Sequence, residues 1–92
     1  MCYTYSYDEQ KDVKLKIERG VCFEDVISAI DAGKVLDVIF HHNQEKYPAQ
    51  KILIIEIQNY AYLVPYVESK NVIFLKTIFA SRKFTKLYLT GD

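Results

Sequence analysis

Ninety-two residues with no net charge, half of them apolar and 26% charged, have the composition of an ordinary globular chain, which excludes disordered and fibrous classes. That length supports one core and a single domain over residues 1–92, burying about two-thirds of the unfolded surface. No apolar run nears the roughly 20 residues of a membrane-spanning helix, and the longest, Tyr60 to Val67, contains Pro65.

The first residues, Met1-Cys2-Tyr3-Thr4-Tyr5-Ser6-Tyr7, lack the basic region, apolar stretch and cleavage site of a secretion signal, so a cytoplasmic protein is expected. Cys2 and Cys22 are then expected as free thiols. No His or Cys stands at metal-ligand spacing, and neither a metal nor a cofactor is expected. The zero net charge hides an uneven distribution. From Ser69 to Thr90 the chain carries Lys70, Lys76, Arg82, Lys83 and Lys86 and no acidic residue, so one end is cationic.

In chain order, Tyr3, Tyr5 and Tyr7 alternate with Thr4 and Ser6 as in a half-buried strand. Asp8 is placed to cap a helix whose first turn is acidic and which Gly20 closes. Val13 to Ile17 also alternates as a strand would, but helix punctuation at both ends, and an i, i+4 relation that puts Val13 and Ile17 on one face, favour helix. Phe23, Val26, Ile27 and Ile30 make an apolar helical stripe over Phe23 to Ala32, ended by Gly33.

Val35 to His41 reads as a strand that runs into a polar loop, His42 to Pro48. Three further strands, Lys51 to Ile57, Tyr60 to Val67 and Val72 to Ala80, follow at hairpin spacing and predict an antiparallel meander. Pro65 has no amide to donate, so its strand is expected to bulge there or to turn that side outward. Ser81 is placed to cap a short helix from Arg82 to about Leu89. The fold class is therefore α+β, an antiparallel sheet packed by two amino-terminal helices, with a short carboxy-terminal helix.

Few residues offer chemistry. His41 and His42 titrate near neutral pH, yet neighbours on a strand point to opposite faces, and both also fit as polar loop-entry residues. Arg82 and Lys83 at a helix start outline an anion site, with Lys86 one turn on; the plain alternative is a solvated helix face. The tyrosines of the two aromatic strands fit packing better than base stacking.

The two ends of the chain together resemble the BrnT toxins of bacterial toxin-antitoxin pairs. The amino-terminal motif is Tyr7-Asp8-Glu9-Gln10-Lys11 followed by Arg19-Gly20-Val21-Cys22-Phe23-Glu24, and the carboxy-terminal one is Ala80-Ser81-Arg82-Lys83-Phe84-Thr85. The chain departs from the family's usual pattern at Arg19, where a His is common, and at Tyr88, where an acid is common. The resemblance implies a RelE-like fold and a metal-independent ribonuclease that cuts RNA, free or on the ribosome, and blocks translation until a cognate antitoxin from the adjacent gene covers it. It implies Arg82 on the phosphate, with Lys83, Lys51 or Arg19 sharing charge, His42 or His41 accepting the proton, and Lys86 and Lys76 as further RNA contacts. The competing expectation is a ParE-like or decayed toxin that acts only by binding protein.

Overall fold

A computed structural model of the chain describes residues 4–40, 45 and 50–89. Among these, three helices and six strands form one α+β unit, in the order β1 (Thr4–Tyr7), α1 (Glu9–Arg19), α2 (Phe23–Asp31), β2 (Val35–Phe40), β3 (Gln50–Ile57), β4 (Tyr60–Ser69), β5 (Val72–Leu75), β6 (Phe79–Ala80) and α3 (Arg82–Tyr88). None of the helices is long and apolar enough to cross a membrane.

The helix ends follow from local chemistry. Asp8 Oδ1 accepts the amides of Gln10 and Lys11 at 2.9 and 3.3 Å, and Gly20 ends α1 in the left-handed region at φ 75°. The start of α2 is satisfied twice, since the Phe23 amide donates to Asp12 Oδ1 at 2.7 Å and the Cys22 amide to Asp25 Oδ2 at 3.0 Å. Asp12 thereby ties α1 to α2. Cys22 is a free thiol, as expected; Cys2 lies outside the described residues.

The sheet order is β1-β5-β4-β3-β2, with β6 also paired to β4. The meander from β2 to β5 is antiparallel throughout, and its two tight turns, Gln58-Asn59 and Lys70-Asn71, have positive φ at both positions, the geometry that matches strand twist. Two features depart from the expected pattern. β1 pairs with β5 in parallel, because the chain leaves that edge, crosses one face as α1 and α2, and re-enters as β2 at the opposite edge.

The expected strand from Val72 to Ala80 is in fact two, β5 and β6, broken at Lys76–Ile78. Pro65 supplies the reason. Its nitrogen has no hydrogen to donate, and only its carbonyl is used on that side, accepting the Lys76 amide at 2.8 Å between the β5 and β6 pairings.

Helices α1 and α2 close one face. Leu15, Val21, Phe23 and Val26 pack on Leu53, Ile55, Val64, Tyr66 and Leu75, with Phe23 and Val26 fully buried. Covering a Phe side chain in this way contributes about 1.5–3 kcal/mol. Tyr5, Tyr7 and Tyr62 pack against the same cluster, and Tyr7 stacks on Phe23 at 4.9 Å, so these tyrosines are packing residues. The face of α1 on which Val13 and Ile17 meet is the outer one: they are 59% and 79% exposed, and Leu15 is the residue that faces the core. The helix is as expected and its apolar pair is not its buried side, because the sheet meets α1 along the Leu15 line.

Candidate functional site

The other face of the sheet is covered by α3, which lies over β4. In the run Ile52-Leu53-Ile54-Ile55 all four side chains are buried, so this central strand is covered on both sides. Leu53 and Ile55 join the core under α1 and α2, which leaves Ile52 and Ile54 for the α3 side.

Polar bonds fix α3 to the sheet. The Ser81 amide donates to the Ala61 carbonyl at 3.0 Å, and the Ala61 amide donates to Thr85 Oγ1 at 2.9 Å. The Thr85 hydroxyl in turn donates to the Ser81 carbonyl at 2.7 Å, so Ser81 and Thr85 together engage both backbone groups of a fully buried β4 residue. At the far end the Tyr88 hydroxyl donates to Asp37 Oδ2 on β2 at 2.7 Å. Phe84 and Tyr88 stack at 6.0 Å along the helix between these two attachments.

Between α3 and the sheet lies a cavity of about 480 Å³, lined by Ile39 and Phe40 of β2, Ile52 of β3, Leu63 and Pro65 of β4, Phe79 of β6, and Lys83 and Phe84 of α3. Among the described residues that line it seven of eight are apolar, and Lys83 supplies the one charge. Phe40 stands 66% exposed at the mouth. The Nζ of Lys51, the residue in register with Phe40 on β3, sits 5.7 Å above the Phe40 ring, and Lys83 Nζ sits 5.8 Å above that of Phe84.

The candidates from the sequence are thus only partly gathered. Lys83 lines the cavity, whereas Lys51, two residues before Leu53 and in register with Tyr66, lies on the α1 and α2 face of the sheet and reaches Phe40 from that side. His41 and His42 themselves lie outside the described residues. Arg82 is exposed and does not line the cavity, since successive helical residues point about 100° apart. No acidic side chain pairs with Arg82 or Lys83 among the described residues.

The outlined anion site changes in character. With seven residues α3 is short, Ser81 Oγ accepts the Phe84 amide at 3.2 Å, and the Ser81 carbonyl accepts that of Thr85, so the side chains of Arg82 and Lys83 carry most of its attraction for an anion. Arg19 sits at the end of α1 and donates from Nη1 to the Ile78 carbonyl at 2.6 Å, which fastens the link between β5 and β6. Lys76 belongs to that same link, its Nζ 5.8 Å above the Phe74 ring. Lys86 is exposed on α3, a turn beyond Arg82 and Lys83.

One electrostatic pair was not visible in the sequence. The hydrogen bond from Tyr88, with a second from the Val38 amide at 2.8 Å, holds the Asp37 carboxyl below its ordinary pKa; the same bond to Asp37 raises that of Tyr88. Fifty-one residues separate the partners, and nothing local signals the contact. The apolar cavity was likewise missed, although Phe79 and Phe84 on either side of the Ser81-Arg82-Lys83 motif hinted at an apolar neighbourhood. Comparison of the chain with protein-family models, with curated proteins and with solved structures found no significant match to any of them.

Proposed function

We propose that this chain is a toxin of the BrnT kind with a RelE-like fold, a ribonuclease that cleaves RNA and arrests translation, and that a cognate antitoxin from the adjacent gene neutralises it. The observation that carries the reading is the cationic start of α3: Arg82 and Lys83, the residues of the family-like motif, project from a helix bolted to the sheet by Ser81 and Thr85 of the same motif. A rigid mount is what a phosphate-gripping pair requires.

In this mechanism Arg82 holds the scissile phosphate through paired donors, Lys83 shares the charge that develops on its oxygens, and Lys51 contacts the RNA backbone further off. His42 or His41 takes the proton of the 2′-hydroxyl as that oxygen attacks phosphorus, and the 5′ oxygen leaves with a proton from a second donor. Arg19, with one donor committed to Ile78, supports the site from behind the β5–β6 link, and Lys86 and Lys76 add weaker contacts to the RNA backbone.

Controlled expression with and without the adjacent gene is the test. Cut messenger RNA and arrested growth that the neighbour suppresses are expected, with about a hundredfold loss of cleavage rate in Arg82→Ala and Lys83→Ala. Full toxicity and normal cleavage in both variants would overturn the assignment.

The apolar wall beside Lys83 favours one other reading, a ParE-like or decayed toxin that works by gripping a protein. DNA damage with intact messages after induction would select the first form, and a silent induction the second.

A further inference from the structure

We propose that the cavity between α3 and the sheet seats an anchor side chain of a protein partner, a Phe or Leu that the partner flanks with Asp or Glu. The inference extends the partner half of the reading above and is independent of RNA cleavage. Three observations carry it. Apart from Lys83 the described walls are apolar, with Ile39, Ile52, Leu63 and Phe84 among them, and about 480 Å³ accommodates one large side chain with its neighbours.

A nucleobase would leave its hydrogen-bonding edges unmatched against such walls, whereas an apolar side chain leaves nothing unmatched. The charge beside the cavity is cationic: Lys83 lines it, Arg82 is exposed next to Lys83 on α3, and among the described residues no acidic side chain contributes to the lining. Acidic neighbours of the anchor meet complementary charge there, which sets the approach and the register of the segment. The lip is also apolar and exposed, with Phe40 66% and Leu87 63% accessible; Leu87 lies one turn past Lys83 on the same side of α3. A buried apolar anchor ringed by polar contacts is the usual arrangement of a binding hot spot.

The experiment uses the full chain and a fluorescein-labelled peptide, Glu-Glu-Phe-Glu-Leu-Glu-Glu. Its controls are a version with Ser in place of Phe and Leu, a version with Lys in place of Glu, and oligouridine as competitor. Saturable binding tighter than about 1 mM is expected for the first peptide, weakened by added salt and at least about tenfold weaker for both altered peptides. Phe40→Ala, which removes an exposed wall, and Leu63→Trp, which fills the space, each lower affinity by about tenfold or more, while Ile17→Ala on the outer face of α1 does not. Circular dichroism checks the fold of each variant, and Phe40→Ala decides the matter if Leu63→Trp does not fold. Equal binding of the Ser peptide, no saturation below about 1 mM, or unchanged affinity in a folded Phe40→Ala would overturn the proposal. Displacement of the peptide by oligouridine, with oligouridine binding itself lost in Phe40→Ala, would assign the cavity to RNA and overturn it as well.

Discussion

On one face of the sheet α1 and α2 press Leu15, Phe23 and Val26 onto Leu53, Ile55 and Val64, whereas on the other α3 buries no residue fully and hangs on hydrogen bonds from Ser81, Thr85 and Tyr88. The first face is closed by area removed from water, which needs no particular geometry. The second is closed by a few directional bonds, which fix the position of α3 while leaving apolar space beneath it. Stability is concentrated on the α1 and α2 side and the exposed, adaptable surface on the α3 side, the division expected where one side serves as scaffold.

The largest expected effect breaks the scaffold side. Phe23→Ala should cost about 3–5 kcal/mol in urea unfolding, since a fully buried ring leaves a cavity. Phe84→Ala, on the half-buried α3 side, should cost only about 1–2 kcal/mol; equal costs would erase the contrast between the faces. Thr85→Val keeps the shape of the side chain but orphans the buried Ala61 amide, at about 1–3 kcal/mol. Hydrogen exchange should then quicken at Ala61 and along α3 while the amides of α2 keep their protection.

Gly20→Ala should lower stability by about 1–2 kcal/mol through its left-handed backbone alone, read as a lower melting temperature with the cavity beside α3 unaffected. The smallest effect is electrostatic. The depressed Asp37 pKa contributes stability above the ordinary carboxylate range, lost as pH falls through the folded value; the raised Tyr88 pKa contributes stability below the ordinary phenol range, lost as pH rises through its folded value. Tyr88→Phe should return the Asp37 carboxyl toward its ordinary titration, which carbon-detected NMR of that side chain would follow.

Local chemistry made much of the fold legible. Asp8, Gly20, Gly33 and Ser81 mark helix ends by what their own side chains or backbones do within a few residues, and β3 and β4 are runs of β-branched and aromatic residues bounded by short turns. Arg82 and Lys83 could be singled out because charge is carried by single residues, whereas Lys51 became a candidate only through the family resemblance. The comparison of faces could not be read this way. Val13 and Ile17 meet on one side of α1 as their spacing requires, yet whether that side is inner or outer depends on where the sheet stands, and it is outer.

The sequence by itself determined the helices, the meander and the cationic end, since caps, turns and periodicity act between near neighbours. Only the tertiary structure decided that β1 joins β5 in parallel, that Pro65 splits the last strand, that Arg19 serves Ile78, and that an apolar cavity opens beside Lys83. Each of these joins residues far apart in the chain, and such pairings exist only once the chain has returned on itself and the two faces of the sheet have been covered.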